Sequence, residues 1–268
     1  MIYADFSRAI RFLFPALPIL EKYSEIFALL KDLSDVCHEY LSEAKFNARE
    51  PSQVLAVAYF IRGLMTFQSV VLLLQSGCIE DACALCRTLL QGYYRLAALA
   101  KDPAVINRIF ASAVNDQKKR LEFYKSGKKL KLPAHVAGID LDAKIAEAEA
   151  EIKKLGGSLT NDYELAELGG CQNDYSTYLF MSDAAHTSPL ALRSFIRLDQ
   201  QNHFVGYEYG PHDRDLAPYA CFLLGAQTEN LINVNKVISG QLPASFANLE
   251  KRSFRPRSDM PGGFNPQK

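Results

Sequence analysis

Apolar residues recur every three or four positions through most of the first two thirds of the chain, which is the spacing of amphipathic helices. Proline, glycine and capping residues mark the breaks between the segments that show this spacing. Short connections between the first four segments favour antiparallel neighbours in a bundle. The predicted helices are 17–46, 51–75, 79–100, 103–124, 140–155, 173–185 and 215–238.

The pattern changes after residue 190. Segments 194–198 and 203–209 alternate or are rich in β-prone residues, and a short polar stretch separates them. This predicts a β-hairpin. We therefore predict a mainly α protein, an antiparallel helical bundle of about five long helices with one small β-hairpin before the C-terminal helix. Residues 1–251 are predicted to form a single domain, and residues 252–268 a loosely ordered tail.

One apolar segment is long enough to cross a membrane. Residues 54–74 are nearly continuously apolar, but Arg62 lies close to their centre. A charged side chain in the middle of a bilayer is energetically costly. The segment is therefore predicted to be a buried central helix that neighbouring helices cover, with a membrane span as the alternative.

Composition and charge limit the classes of protein to which the chain can belong. Apolar residues make up 49% of the 268 residues, which is enough for a large core. The chain has 30 basic and 30 acidic residues, so no overall charge attracts nucleic acid or an anionic membrane. The first residues do not have the pattern of a secretory signal. A cytoplasmic protein that does not associate with a membrane is expected.

Cysteine spacing raises the question of a metal site. The pair Cys83 and Cys86 has the CxxC spacing, and Cys78 precedes it. No second CxxC or histidine pair follows at zinc-finger spacing, and the pair lies inside an apolar helix. We therefore expect buried, reduced cysteines, and neither a metal nor another cofactor.

Two helical segments each carry a stripe of polar residues in a narrow arc, as the helical repeat of about 100° per residue places them. Either stripe can line one wall of a cleft. The first stripe consists of Glu80, Cys83, Arg87, Gln91 and Tyr94, and the second of Tyr175, Tyr178, Ser182 and His186.

These stripes allow three interpretations. In the first, the residues form a buried network that joins helices, with Arg87 held by a carboxylate or by carbonyl groups. In the second, Arg87, Gln91, Tyr94 and Tyr178 bind a carboxylate or phosphate. In the third, Ser182 and His186 act as nucleophile and base, because their spacing of four residues puts them within reach of each other on one helix face.

Two further patterns suggest contact with RNA. Arg197 and His203 have the arginine-to-histidine spacing of the higher-eukaryote and prokaryote nucleotide-binding ribonucleases, although here the spacing crosses a predicted hairpin. A basic strip from Lys118 to Lys131 contains Phe123 and Tyr124, which suits phosphate contacts. Acidic residues within 140–167 can equally neutralise this strip.

Two segments carry a family resemblance. The run from Gly77 to Tyr94, with Arg87 and Gln91, and the later run from Tyr178 to Pro189 resemble the helical family of unknown function numbered 5677. Residues 55–237 share this resemblance. It implies a helical bundle with an Arg-x-x-x-Glu pattern on an early helix and a Tyr…Ser-x-x-x-His pattern on a later one. This chain has glutamine at position 91, where that pattern has an acid.

The functional hypothesis is a cytoplasmic protein that binds a small anionic ligand, or a segment of a partner protein, in a polar cleft between helices. The alternative is a metal-independent phosphodiesterase or ribonuclease that uses His186 or the pair Arg197 and His203. Contact with nucleic acid is possible on this sequence and is not favoured. The sequence does not determine whether the protein is an enzyme, nor its oligomeric state.

Overall fold

A computed structural model describes residues 17–126, 138–185, 192, 195–207 and 212–253. The described part is mainly α-helical with one two-stranded antiparallel hairpin, which confirms the predicted fold class. Its elements are α1 (Leu17–Lys22), α2 (Ser24–Glu43), α3 (Pro51–Gln75), α4 (Ile79–Lys101), α5 (Ile106–Lys125), α6 (Leu141–Lys154), α7 (Asp162–Gly169), α8 (Tyr175–Ala184), β1 (Ile196–Leu198), β2 (Phe204–Tyr207), α9 (Leu216–Ile238) and α10 (Ala244–Ser253).

Helix α4 is the centre of the fold. It packs against α3, α7, α8 and α9, and most of its apolar side chains are buried. Acidic residues in its first turn and Lys101 in its last turn complement the helix dipole. Because its neighbours surround it, polar residues on α4 must find partners on the helices that face them.

Helix α3 is apolar on both its buried and its exposed face. It packs on α4 and α9, and Phe60 and Phe67 are fully buried there. On the opposite face Ile61, Met65 and Leu72 are exposed. The expectation that neighbouring helices cover this segment is therefore right for one face and wrong for the other. By length and composition alone, α3 could cross a membrane, a test that core helices of soluble proteins also pass.

The hairpin of β1 and β2 stands at the surface. All three residues of β1 are exposed, and the pairing shifts register next to Arg197. Asp199 accepts hydrogen bonds from the backbone N–H groups of Gln201 and His203, both at 2.8 Å. The polar stretch between the strands is thus a turn that a side-chain carboxylate stabilises.

Several boundaries differ from the prediction. The predicted helix 17–46 is divided at Tyr23, whose backbone leaves the helical region, and it ends at Glu43. Helices α7 and α10 were not predicted. Helix α10 reaches Ser253, so the first residues of the predicted tail are helical, and residues 254–268 lie outside the described part.

Candidate functional site

The first predicted stripe divides between two neighbours. Both carboxylate oxygens of Glu80 lie 3.2 Å from Nε2 of His212, which precedes α9. Cys83 is buried beside the hydroxyl of Tyr219 on α9, and burial raises the pKa of its thiol to about 11. Glu80 and Cys83 therefore join α4 to the start of α9.

Farther along α4, the two stripes do meet. Nη2 of Arg87 donates to the hydroxyl of Tyr178 at 3.2 Å, and Nε2 of Gln91 lies 3.4 Å from the same hydroxyl. Tyr178 is almost completely buried, and the Arg87 guanidinium lies 5.3 Å from the centre of its ring. The predicted juxtaposition of α4 and α8 is present at these three residues.

Asp162 on α7 is the carboxylate of this cluster, and no pattern in the sequence singled it out. Its Oδ2 accepts from Nε2 of Gln91 at 2.7 Å and from the hydroxyl of Tyr178 at 3.1 Å. Its Oδ1 lies 3.0 Å from Nη2 of Arg95, one turn beyond Gln91 on α4. The Asp162 side chain is 16% exposed, so these charge-assisted contacts lie in a partly desolvated environment.

Arg87 and Arg95 have different partners. Arg95 makes the ion pair with Asp162 and also donates from Nη1 to the backbone oxygen of Gln91 at 2.6 Å. Arg87 has no carboxylate partner within the described ranges, and its buried Nε–H has no hydrogen-bond acceptor there. Buried donors of this kind are rare in folded proteins. Arg87 thus retains hydrogen-bonding capacity that the described residues do not use.

Tyrosine rings enclose the cluster. Tyr94 is fully buried and its hydroxyl donates to the backbone oxygen of Asp174 at 3.2 Å, so it joins helices and does not face solvent. Tyr175 stacks on Tyr178 with ring centres 5.1 Å apart. Burial raises the pKa of Tyr175, with smaller contributions from its neighbours Tyr178 and Asp162. The rings therefore exclude water from one side of the polar cluster.

The proposed nucleophile of the second stripe bonds to its own helix. The Ser182 hydroxyl donates to the backbone oxygen of Tyr178 at 2.8 Å. His186 lies outside the described residues, and so does the side chain of Asp183. The pairing of Ser182 with His186 therefore stays a prediction.

Helix α7 explains how Asp162 reaches α4. Asn161 caps the helix, because its side chain accepts from the backbone N–H of Glu164 and donates to the Glu164 carboxylate. This Asn-x-x-Glu spacing is a helix-start signal that sequence reasoning could have used. At the other end, a Cβ on Gly169 would lie 2.7 Å from that of Ala97, so the glycine permits close packing on α4.

Other residues that the sequence singled out have contacts with nearby side chains, or are free thiols. Lys118 donates to Glu149 at 2.8 Å and Lys125 contacts Asp142, so acids of α6 pair with part of the basic strip. His203 lies 3.4 Å from Asp199 within the exposed hairpin. All six cysteines are free thiols. Within the described ranges, no group of three or more histidine, cysteine or acidic side chains is arranged to hold a metal.

The described residues form a mainly α-helical protein with two arginines on its central helix. Arg95 pairs with a carboxylate, and Arg87 has no carboxylate partner among the described residues. A family model matches residues 53–204, which is more than half of the chain, and the protein belongs to that family, the family of unknown function DUF5677. The match confirms the resemblance found in the sequence and includes every residue of the Arg87 cluster. Comparisons with curated proteins and with solved structures gave no match.

Proposed function

We propose that the protein binds a small anionic ligand at Arg87, in the region where α4 faces α8. The observation that carries this proposal is the guanidinium of Arg87, which donates to one tyrosine hydroxyl and has no carboxylate partner in the described part of the chain. An arginine with unused donors in a partly buried position is well suited to a carboxylate or phosphate group.

The contacts of the neighbouring carboxylate support the assignment of Arg87 as the anion-binding residue, because other side chains already bind that carboxylate. Asp162 is fully engaged by Gln91, Tyr178 and Arg95. No carboxylate of the described residues, Asp162 included, pairs with Arg87, which supports a role for the positive charge of Arg87 in binding a ligand. An acidic segment of a partner protein offers the same chemistry as a free anion.

No contact among the described residues favours the ribonuclease alternative, His186 lies outside those residues, and we do not propose this alternative as a second function. Arg197 and His203 are both exposed, and His203 is engaged with Asp199 in the hairpin. The alternative remains testable through cleavage of RNA without added metal.

Titration of the protein with acetate and with inorganic phosphate, followed by NMR at constant ionic strength, tests the proposed function. We expect saturable binding of at least one anion to the parent and its loss in Arg87→Gln. Arg62→Gln is the matched control, because Arg62 is an exposed arginine on α3 with no ion pair within the described ranges. Binding that is absent from the parent, or equal in parent and Arg87→Gln, would overturn the proposal.

A further inference from the structure

The charges of the cluster can be counted from its contacts. Arg87 and Arg95 are positive, Asp162 is negative, and the adjoining Gln91 and Tyr178 are polar side chains without charge. Asp162 lies against Arg95 and neutralises it, so among the described residues of the cluster a single positive charge, that of Arg87, remains. A partly buried site is most stable when the ligand matches its net charge, because unpaired charge is costly at low dielectric.

We infer that Asp162 determines the charge of the ligand, so that the site takes a monoanion of the carboxylate class in preference to a phosphate dianion. This inference rests on the proposed function and deepens it. Asp162 acts without touching the ligand. It cancels the charge of Arg95, and it accepts a hydrogen bond from the Tyr178 hydroxyl. The oxygen of that hydroxyl in turn accepts a hydrogen bond from Arg87.

The hydrogen-bond directions agree with this role. The Tyr178 hydroxyl donates its proton to Asp162 and accepts from Arg87 and Gln91, so it has no proton to offer a ligand. Of the charged groups in the cluster, only Arg87 is without an opposite charge from the described residues. A carboxylate, with one charge and two oxygens in a plane, fits the fork of a single guanidinium.

The test compares the affinities of acetate and inorganic phosphate at about pH 8, where acetate is a monoanion, phosphate is mostly a dianion and an ordinary histidine is neutral. The parent is expected to bind acetate more tightly than phosphate. Asp162→Asn raises the net charge by one unit and should shift the ratio of the two affinities toward phosphate by about tenfold or more.

The double variant Asp162→Asn with Arg95→Gln restores the original net charge and serves as the matched control. It should return the ratio toward the parent value, which a purely structural role of Asp162 does not predict. If Asp162→Asn does not fold, Gln91→Lys adds the same unit of charge while Asp162 stays in place, and it should shift the ratio in the same direction.

The outcomes separate this inference from the proposed function. Binding that depends on Arg87, but with a ratio that is unchanged in Asp162→Asn and Gln91→Lys, overturns the inference and leaves the proposed function standing. A parent that prefers phosphate also overturns the inference. Absence of any binding that depends on Arg87 overturns both.

Discussion

Two arginines on the same helix differ in the partners that their position along α4 gives them. Arg95 lies two turns after Arg87; Arg95 contacts Asp162 and Arg87 contacts Tyr178, whose hydroxyl donates to Asp162. Arg95 pairs with the carboxylate, whereas among the described residues Arg87 contacts only the Tyr178 side chain, and its buried Nε–H has no acceptor there. The difference teaches that one carboxylate, contributed by α7, decides which of the two arginines forms an ion pair within the described residues. In the function that we propose, the other arginine, Arg87, binds the ligand.

The largest expected effect is the loss of that carboxylate. Asp162→Ala leaves Arg95 unpaired and removes the acceptor of Gln91 and Tyr178, so we expect the free energy of unfolding to fall by about 2–4 kcal/mol. Chemical denaturation at neutral pH measures the change.

Asp35→Ala is the matched control for this variant. Asp35 also accepts from a cation, Lys31, but both side chains are well exposed, and the expected loss is below about 0.5 kcal/mol. Similar losses for the two alanine variants would show that Asp162 does not organise the cluster.

The second prediction compares the two arginines directly. Arg95→Met should lower the free energy of unfolding by about 1–3 kcal/mol, because it leaves the carboxylate of Asp162, which is 16% exposed, without an opposite charge from Arg95. Arg87→Met should lower it by less than about 1 kcal/mol, since only the contact with Tyr178 is lost. Paired denaturation curves measure both values, and equal losses, or a larger loss for Arg87→Met, contradict the comparison.

How much of this could be read from the sequence differs between α4 and α7. The spacing of Arg87 and Gln91 on an apolar helix was sufficient to predict that both lie on one face of α4, because the helical repeat fixes which residues share a face. It did not determine that this face meets α8, which the contacts with Tyr178 show. Asp162 was not predicted, since it stands in a short, acidic stretch without apolar periodicity and only tertiary packing brings it to α4.

For the fold, too, some features could be predicted from the sequence and others could not. The long helices have clear apolar periodicity, and their existence was predicted correctly. The break at Tyr23 was not, because the apolar pattern continues through it. The exposed apolar face of α3 was also missed, since a continuously apolar helix carries no pattern that tells which side is covered.

A third prediction extends the comparison to the carboxylates. Burial raises the pKa of Asp174, an effect that a hydrogen bond from Tyr93 partly opposes. A raised pKa in the folded state means that Asp174 adds stability only below its ordinary pKa, and that this contribution is lost as pH rises through the raised value.

Asp174→Asn should therefore stabilise the protein near pH 7, by up to about 1 kcal/mol. As pH falls toward about 3 the advantage should vanish, because the carboxyl group of the parent is then mostly protonated in both states. Thermal melts across this pH range provide the measurement. A variant less stable than the parent at neutral pH would show that interactions such as the Tyr93 hydrogen bond outweigh the cost of burying the Asp174 charge.

The smallest expected effect concerns Ser182. Its hydroxyl bonds to the carbonyl of Tyr178 within α8, so Ser182→Ala should change the free energy of unfolding by less than about 0.5 kcal/mol and leave anion affinity unchanged. Denaturation and an acetate titration check both. A large loss of binding would show that Ser182 belongs to the binding site and would support the prediction that it pairs with His186.

The most direct test of the central claim observes both arginines in one NMR spectrum. The Nε–H signals of Arg87 and Arg95 are assigned from the variants Arg87→Gln and Arg95→Gln, and the parent is then titrated with acetate. The account predicts that the Arg87 signal shifts saturably, because its Nε–H belongs to the guanidinium that meets the anion, while the Arg95 signal, held by Asp162, shifts far less. If neither signal shifts, or if both signals shift equally, the account is contradicted.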